Sequence, residues 1–173
     1  MNKVLAVGIL CCLGATVVSI ISTSIPPWLY LEETIYGQTI TVYAGLWKTC
    51  VKSDSTANPY VCANLENVPD WWKSVQALMI LGILFLALST FLGCLYCKDD
   101  SKQSLLHGAM FTSVLGGIVL IVAVIVFGVK ENKSSSQFQF HACFYLALVS
   151  GADAIVAAAL MAISKRRGGY ISI

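Results

Sequence analysis

Polar side chains fall in clumps along this chain, and between them lie four long apolar runs: residues 4–25, 75–97, 105–129 and 141–163. Crossing roughly 30 Å of hydrocarbon takes about 20 helical residues, so each run is long enough to span a bilayer. Backbone groups in lipid must bond within their own segment, which predicts four helices. Lys3 ahead of the first run resembles the start of a signal peptide, but the run exceeds the roughly 7–15 apolar residues such a signal carries. It reads as an uncleaved first span, with cleavage after Ser22–Ser24 as the alternative.

The polar stretch 26–74 has a pattern of its own. "WLYLEETIYGQTITVYAGLW" is dense in β-branched and aromatic residues, and Gly37 sits where a hairpin would turn. Thr39, Thr41 and Tyr43 alternate with Ile40 and Val42, the period of a sheet with two unlike faces. After Cys62, "NVPDWWKSVQALM" predicts a helix start, with Asn67 or Asp70 as its cap, running into the second span. The short stretch 130–140, "KENKSSSQFQF", is Ser-rich and reads as a flexible loop.

Composition agrees: 57% of residues are apolar and 12% charged, with a mean hydropathy of +0.77. That is half the charge of a typical soluble domain. A net charge of +2 without a basic stripe excludes nucleic acid as a partner. Orientation follows from the polar segments. Lys165, Arg166 and Arg167 directly follow the fourth span, where positive charge marks the cytoplasmic side. The 26–74 segment holds Cys50 and Cys62, the pair best placed for a disulfide, and disulfides persist on the oxidising side. The expected arrangement is one domain, 1–173, with both termini, the 98–104 loop and the 164–173 tail cytoplasmic. Loops 26–74 and 130–140 are then extracellular. A disulfide would staple a small sheet, while Trp28 and Trp47 suit an interface that is half apolar and half wet.

Trp28, Gly45-Leu46-Trp47, Cys50 and Cys62 together resemble the W…GLW…C…C signature of the claudin superfamily. "VQALMIL" at 75–81 and the cytoplasmic "CLYCKDDSK" at 94–102 extend the resemblance over nearly the whole chain, the latter towards claudins proper. The implied fold is an all-α membrane bundle with a β extracellular layer: a left-handed four-helix transmembrane bundle carrying a small antiparallel sheet. The implied function is a tight-junction structural protein that polymerises into strands and forms a paracellular barrier or a charge-selective ion path. Its partners would be itself and other claudins in cis and trans, PDZ scaffold proteins of the junction, and membrane lipid. Asp54, just after the first cysteine, would set selectivity, with Glu32, Glu33, Lys48 and Lys52 as neighbours; the plainer reading of each is a solvated sheet edge. Two departures stand out. Gln76 replaces the arginine usual before the second span, as in epithelial membrane proteins, and the second outer loop lacks the usual aromatic–Asn/Asp–Pro turn. Both leave open an epithelial-membrane-protein or PMP-22-like tetraspan regulating adhesion or traffic, or an auxiliary ion-channel subunit.

Within the spans, Gly8, Gly14, Gly82, Gly116, Gly117, Ala147 and Gly151 allow close helix packing. Asp153 falls mid-span, where an acid costs roughly 3 kcal/mol; it should face the bundle interior near a Ser or Thr of another helix, the alternative being a gate or ion site. Cys94 and Cys97 at the membrane edge are palmitoylation candidates, and a zinc site would need about two more ligands. Cys11, Cys12 and Cys143 read as buried free thiols. Ile171-Ser172-Ile173 has the apolar–x–apolar–carboxylate form of a PDZ ligand, and Asn132-Lys133-Ser134 is a glycosylation sequon. His107 and His141 fall on opposite membrane faces, and no nucleophile–base pair, phosphate loop or metal cluster is legible. The expectation is a non-enzyme that uses no cofactor and no metal.

Overall fold

The computed structural model describes residues 3–35, 38–53, 60–99, 102–134 and 139–169. Among them are four helices, α1 (Lys3–Ser24), α2 (Asp70–Lys98), α3 (Gln103–Ser134) and α4 (Ala142–Gly169). Each contains a stretch long and apolar enough to cross a membrane, with mean hydropathies between 2.1 and 2.7. The protein is a multi-pass membrane protein, and large apolar side chains such as Leu10, Leu84, Phe91, Phe111 and Val149 point outward, as lipid-facing positions should.

Lipid tails do not drive helices together, so close packing must. The α3–α4 contact rests on Gly117 and Gly151: a Cβ on Gly117 would lie 2.7 Å from the Gly151 carbonyl oxygen. Gly82 meets the Leu120 side chain in the same way across α2–α3. Gly14 is the exception among the expected packing glycines, since it faces outward with nothing within 4 Å of an added Cβ.

A thiol at mid-bundle ties the four helices. Cys12 Sγ on α1 donates to Ser89 Oγ on α2 at 3.3 Å and lies 3.7 Å from Ser113 Oγ on α3. Thr90 Oγ1 donates to the same sulfur at 3.5 Å, and Ser113 Oγ donates to the Ala154 carbonyl of α4 at 2.8 Å. These hydroxyls are thus engaged with Cys12 or with backbone. Asp153 does not find the Ser or Thr partner expected of it: it is half-buried and without a hydrogen bond among the described residues. Cys12 and Cys143 are buried as expected, whereas Cys11 is only partly so.

The polar segment between α1 and α2 forms strands β1 (Leu29–Ile35), β2 (Gln38–Ala44), β3 (Lys48–Ser53) and β4 (Tyr60–Asn64). They pair antiparallel in the order β4-β3-β2-β1-β5, where β5 (Gln139–Phe140) comes from the stretch before α4. The register ends at Ile35↔Gln38, on either side of the expected turn at Gly37, which lies outside the described residues. The alternation is as expected. Thr39, Thr41 and Tyr43 share one face with Tyr30, Glu32, Cys50 and Cys62; Ile40 and Val42 share the other with Leu29, Leu31, Val51 and Val61.

Two expectations fail. β5 shows that the second polar stretch is not simply a loop, because Leu29↔Phe140 and Tyr30↔Gln139 extend the sheet. Helix α2 is not capped by a side chain: Pro69 is the N-cap, Asp70 is already the first helical residue, and Asn67 takes a positive φ of 55°. Proline suits a helix entrance, where a missing N–H leaves no intrahelical bond unmade.

Candidate functional site

The resemblance residues converge where the sheet meets the bundle. Gly45 makes a tight return in which its N–H donates to the Lys48 carbonyl at 2.9 Å. Leu46 is fully buried, and its carbonyl accepts two bonds from α2: Trp72 Nε1 at 3.0 Å and Gln76 Nε2 at 2.6 Å. Gln76 therefore has a definite task, since its neutral amide helps satisfy a carbonyl buried by the turn. Trp47 has its own anchor in the Leu65 N–H, which donates to its carbonyl at 2.9 Å. The residue is 38% exposed, as an interfacial tryptophan should be.

Trp28 corrects the expectation of a half-wet anchor. It is 0% exposed, its Nε1–H donates to the Ser22 carbonyl at 2.6 Å, and its ring meets Phe127 edge-on at 5.0 Å and Phe144 at 6.2 Å. The aromatic side chains of α3 and α4 close over it, so the indole is core. Its backbone joins both loops: Trp28 N–H donates to the Ala44 carbonyl at 3.0 Å, and Trp28 O accepts from His141 N–H at 2.9 Å.

Cys50 and Cys62 form the disulfide, bridging the directly paired positions of β3 and β4. Opening it through Cys62→Ser should lower stability by about 3 kcal/mol, the chain-entropy value for so short a loop. Thermal unfolding of the full chain in detergent checks this. A change below about 1 kcal/mol would show that strand pairing alone holds β4.

On the same face lie Lys48, Lys52, Thr41 and Glu32, with Glu32↔Thr41↔Lys52 in one cross-strand row. Glu33 points to the opposite face, so the structure separates it from this group. Asp54 lies outside the described residues, as do Ile171, Ser172 and Ile173. The Tyr30 hydroxyl donates to Glu32, and this bond raises the phenol's pKa above its ordinary value. Beside it, the His141 ring packs on Tyr30 at 5.9 Å and Tyr43 at 6.1 Å. His141 Nδ1 is buried with no hydrogen-bond partner among the described residues. An orphaned polar atom costs about 1–3 kcal/mol, so His141→Phe, which keeps the ring contacts, should raise the melting temperature in detergent. A lower melting temperature would mean that the nitrogen is satisfied.

Cys94 and Cys97 are exposed near the end of α2. Asn132 falls in the last turn of α3. Among the described residues no group of three or more His, Cys, Asp or Glu side chains is placed to hold a metal. The Gln76 and Trp72 contacts to Leu46 and the strand β5 had no signal in the local sequence.

The model of a family described as the PMP-22/EMP/MP20/Claudin family matches residues 1–161. Among curated proteins, the chain is similar to p53 apoptosis effector related to PMP-22 from Danio rerio, at 30% identity over 93 residues. The match covers 54% of this chain and 48% of that protein, so the chain spans about half the length of this curated relative.

Proposed function

Since the chain belongs to the PMP-22/EMP/MP20/Claudin family, we propose that it is a structural protein of cell–cell contacts, with both termini cytoplasmic, the sheet outside, and copies assembling side by side into strands at tight junctions. The observation that carries this reading is a charged sheet face held on a rigid mount. Glu32, Lys48 and Lys52 share one face beside the disulfide, while Trp28 and Leu46 bury the base of the sheet in the bundle. Charges held at fixed positions along a path select ions, as rings of charged side chains do in other pores. The other face carries the apolar row Leu31–Val42–Val51–Val61, with Val61 64% exposed, a surface suited to neighbouring copies in the same membrane. Further partners on this reading are other claudins in the facing membrane and PDZ scaffolds at the chain's end.

A second reading is a PMP-22-like tetraspan that regulates adhesion or traffic without building strands. Gln76 in place of arginine favours it, and so does the relative whose name refers it to PMP-22. Expression in an epithelial line stripped of its own claudins separates the two, with freeze-fracture imaging and salt-gradient dilution potentials on the same monolayers. Strands with a charge-selective potential support a channel, and strands with raised resistance alone support a barrier. In the channel case Asp54→Asn should cut the cation-to-anion permeability ratio about twofold or more, the effect of losing a few tenths of a kcal/mol of favourable potential. Surface protein that never forms strands overturns the first reading and leaves the second.

A further inference from the structure

We propose that the end of the bundle away from the sheet, where the start of α3 meets the end of α4, binds the headgroup of a multiply phosphorylated membrane lipid through Lys165, with His107 holding that lysine in place. Lys165 Nζ is in hydrogen-bond contact with His107 Nε2, 58 residues away in the chain. An ammonium has three donors and no acceptor, so the histidine nitrogen must be the acceptor, and the bond uses one of the three donors. Among the described residues no carboxylate pairs with Lys165 to take the other two.

The surroundings share that sign. The described cations at this end are Lys3, Lys98, Lys102, Lys165 and Arg166. The described carboxylate beyond the spans here is Asp99, which ion-pairs with Lys102 at 3.0 Å. At the sheet end Lys48, Lys52, Lys73 and Lys130 are offset by Glu32, Glu33, Glu66, Asp70 and Glu131. Position selects the ligand class. The span in α3 begins at Gln103 and that in α4 ends at Arg166, so His107 and Lys165 lie within about one turn of the ends of their spans, near headgroup depth. A phosphate monoester offers three strong acceptor oxygens, enough to take the two remaining Lys165 donors and still engage the neighbouring Arg166. A phosphatidylserine headgroup offers a less compact anion. That this lipid is met in the cytoplasmic leaflet rests on the orientation proposed above, whereas the binding chemistry does not.

The test uses the full chain in phosphatidylcholine nanodiscs doped with a few per cent of phosphatidylinositol bisphosphate, or with phosphatidylserine at equal total charge; retained lipid is read by native mass spectrometry. Both faces of a nanodisc are accessible, so the outcome does not depend on cellular orientation or on strand formation. Wild type should enrich the bisphosphate over phosphatidylserine. Lys165→Gln should lower its retention about fivefold, the factor expected for one lysine near an anionic surface. Lys165→Arg should stay within about twofold of wild type, which separates lost charge from lost fold, and Lys73→Gln at the sheet end should change nothing. Equal enrichment of the two lipids, undiminished binding by Lys165→Gln, or failure of Lys165→Arg alongside Lys165→Gln would each overturn the proposal. So would displacement of the lipid by an equimolar amount of soluble inositol trisphosphate, because the ligand would then be a free phosphate.

Discussion

Replacing Trp28 by alanine is expected to remove about 3–5 kcal/mol of stability, the range for deleting a buried large aromatic side chain, and to keep most of the protein from the cell surface. The size follows from position. The indole is wholly buried and contacts rings on α3 and α4, so its loss opens a cavity where sheet and helices meet. Its N–H bond to the Ser22 carbonyl contributes about 1 kcal/mol net. Ring burial therefore outweighs the hydrogen bond, and Trp28→Phe should recover more than half of the loss. Thermal unfolding in detergent and surface biotinylation measure both variants. If Trp28→Ala unfolds within 1 kcal/mol of wild type, burial of the indole does not hold the sheet to the bundle.

Gly45→Ala is the second large effect. A Cβ at this position would lie 2.5 Å from Pro26 Cα, 2.6 Å from its carbonyl oxygen and 2.9 Å from its carbonyl carbon. These are main-chain atoms, so no side-chain rotation relieves the overlap and the strand end must move. Overpacking a well-filled site costs about 1–3 kcal/mol, and here the displacement also strains the Gly45–Lys48 turn and the Trp28–Ala44 bond. A loss at or above the top of that range is expected. Gly14→Ala supplies the contrast, because its Cβ would meet nothing within 4 Å and the change should stay within about 0.5 kcal/mol. Equal melting temperatures for the two alanine variants would refute the close-approach argument.

What could be read from the chain and what could not divides along a physical line. The four helices were legible because hydrocarbon imposes length and apolarity on each segment independently. Strands β1 and β2 were legible because Thr39 to Tyr43 alternate. β3 and β4 carry no such alternation strong enough to see, and only the Cys50↔Cys62 pair hinted that they lie side by side. β5 is two residues long and exists because β1 offers it an edge, a tertiary fact with no local trace. Trp28 has the sequence position of an interfacial anchor, between a span and a strand; its neighbours in space, Phe127 and Phe144, lie about 100 residues away and leave no local trace. Asp153 makes no hydrogen bond among the described residues, and the Ser and Thr hydroxyls at mid-bundle bond Cys12 and backbone carbonyls instead. The signature residues carry the family resemblance, but the two bonds accepted by the Leu46 carbonyl leave no trace in it, because Trp72 and Gln76 reach it from another element.

The two polar segments are stitched together at Trp28 and along β1–β5, and the base of the sheet is clasped by α2. A platform mounted this way has little hinge of its own. Helices tilt when their hydrophobic length differs from the local bilayer thickness, and the spans here run from 22 to 29 residues. Any tilt of the bundle is then passed undiminished to the sheet, which swings like a signpost fixed to its pole. The angle of the sheet to the bilayer is therefore expected to follow membrane thickness.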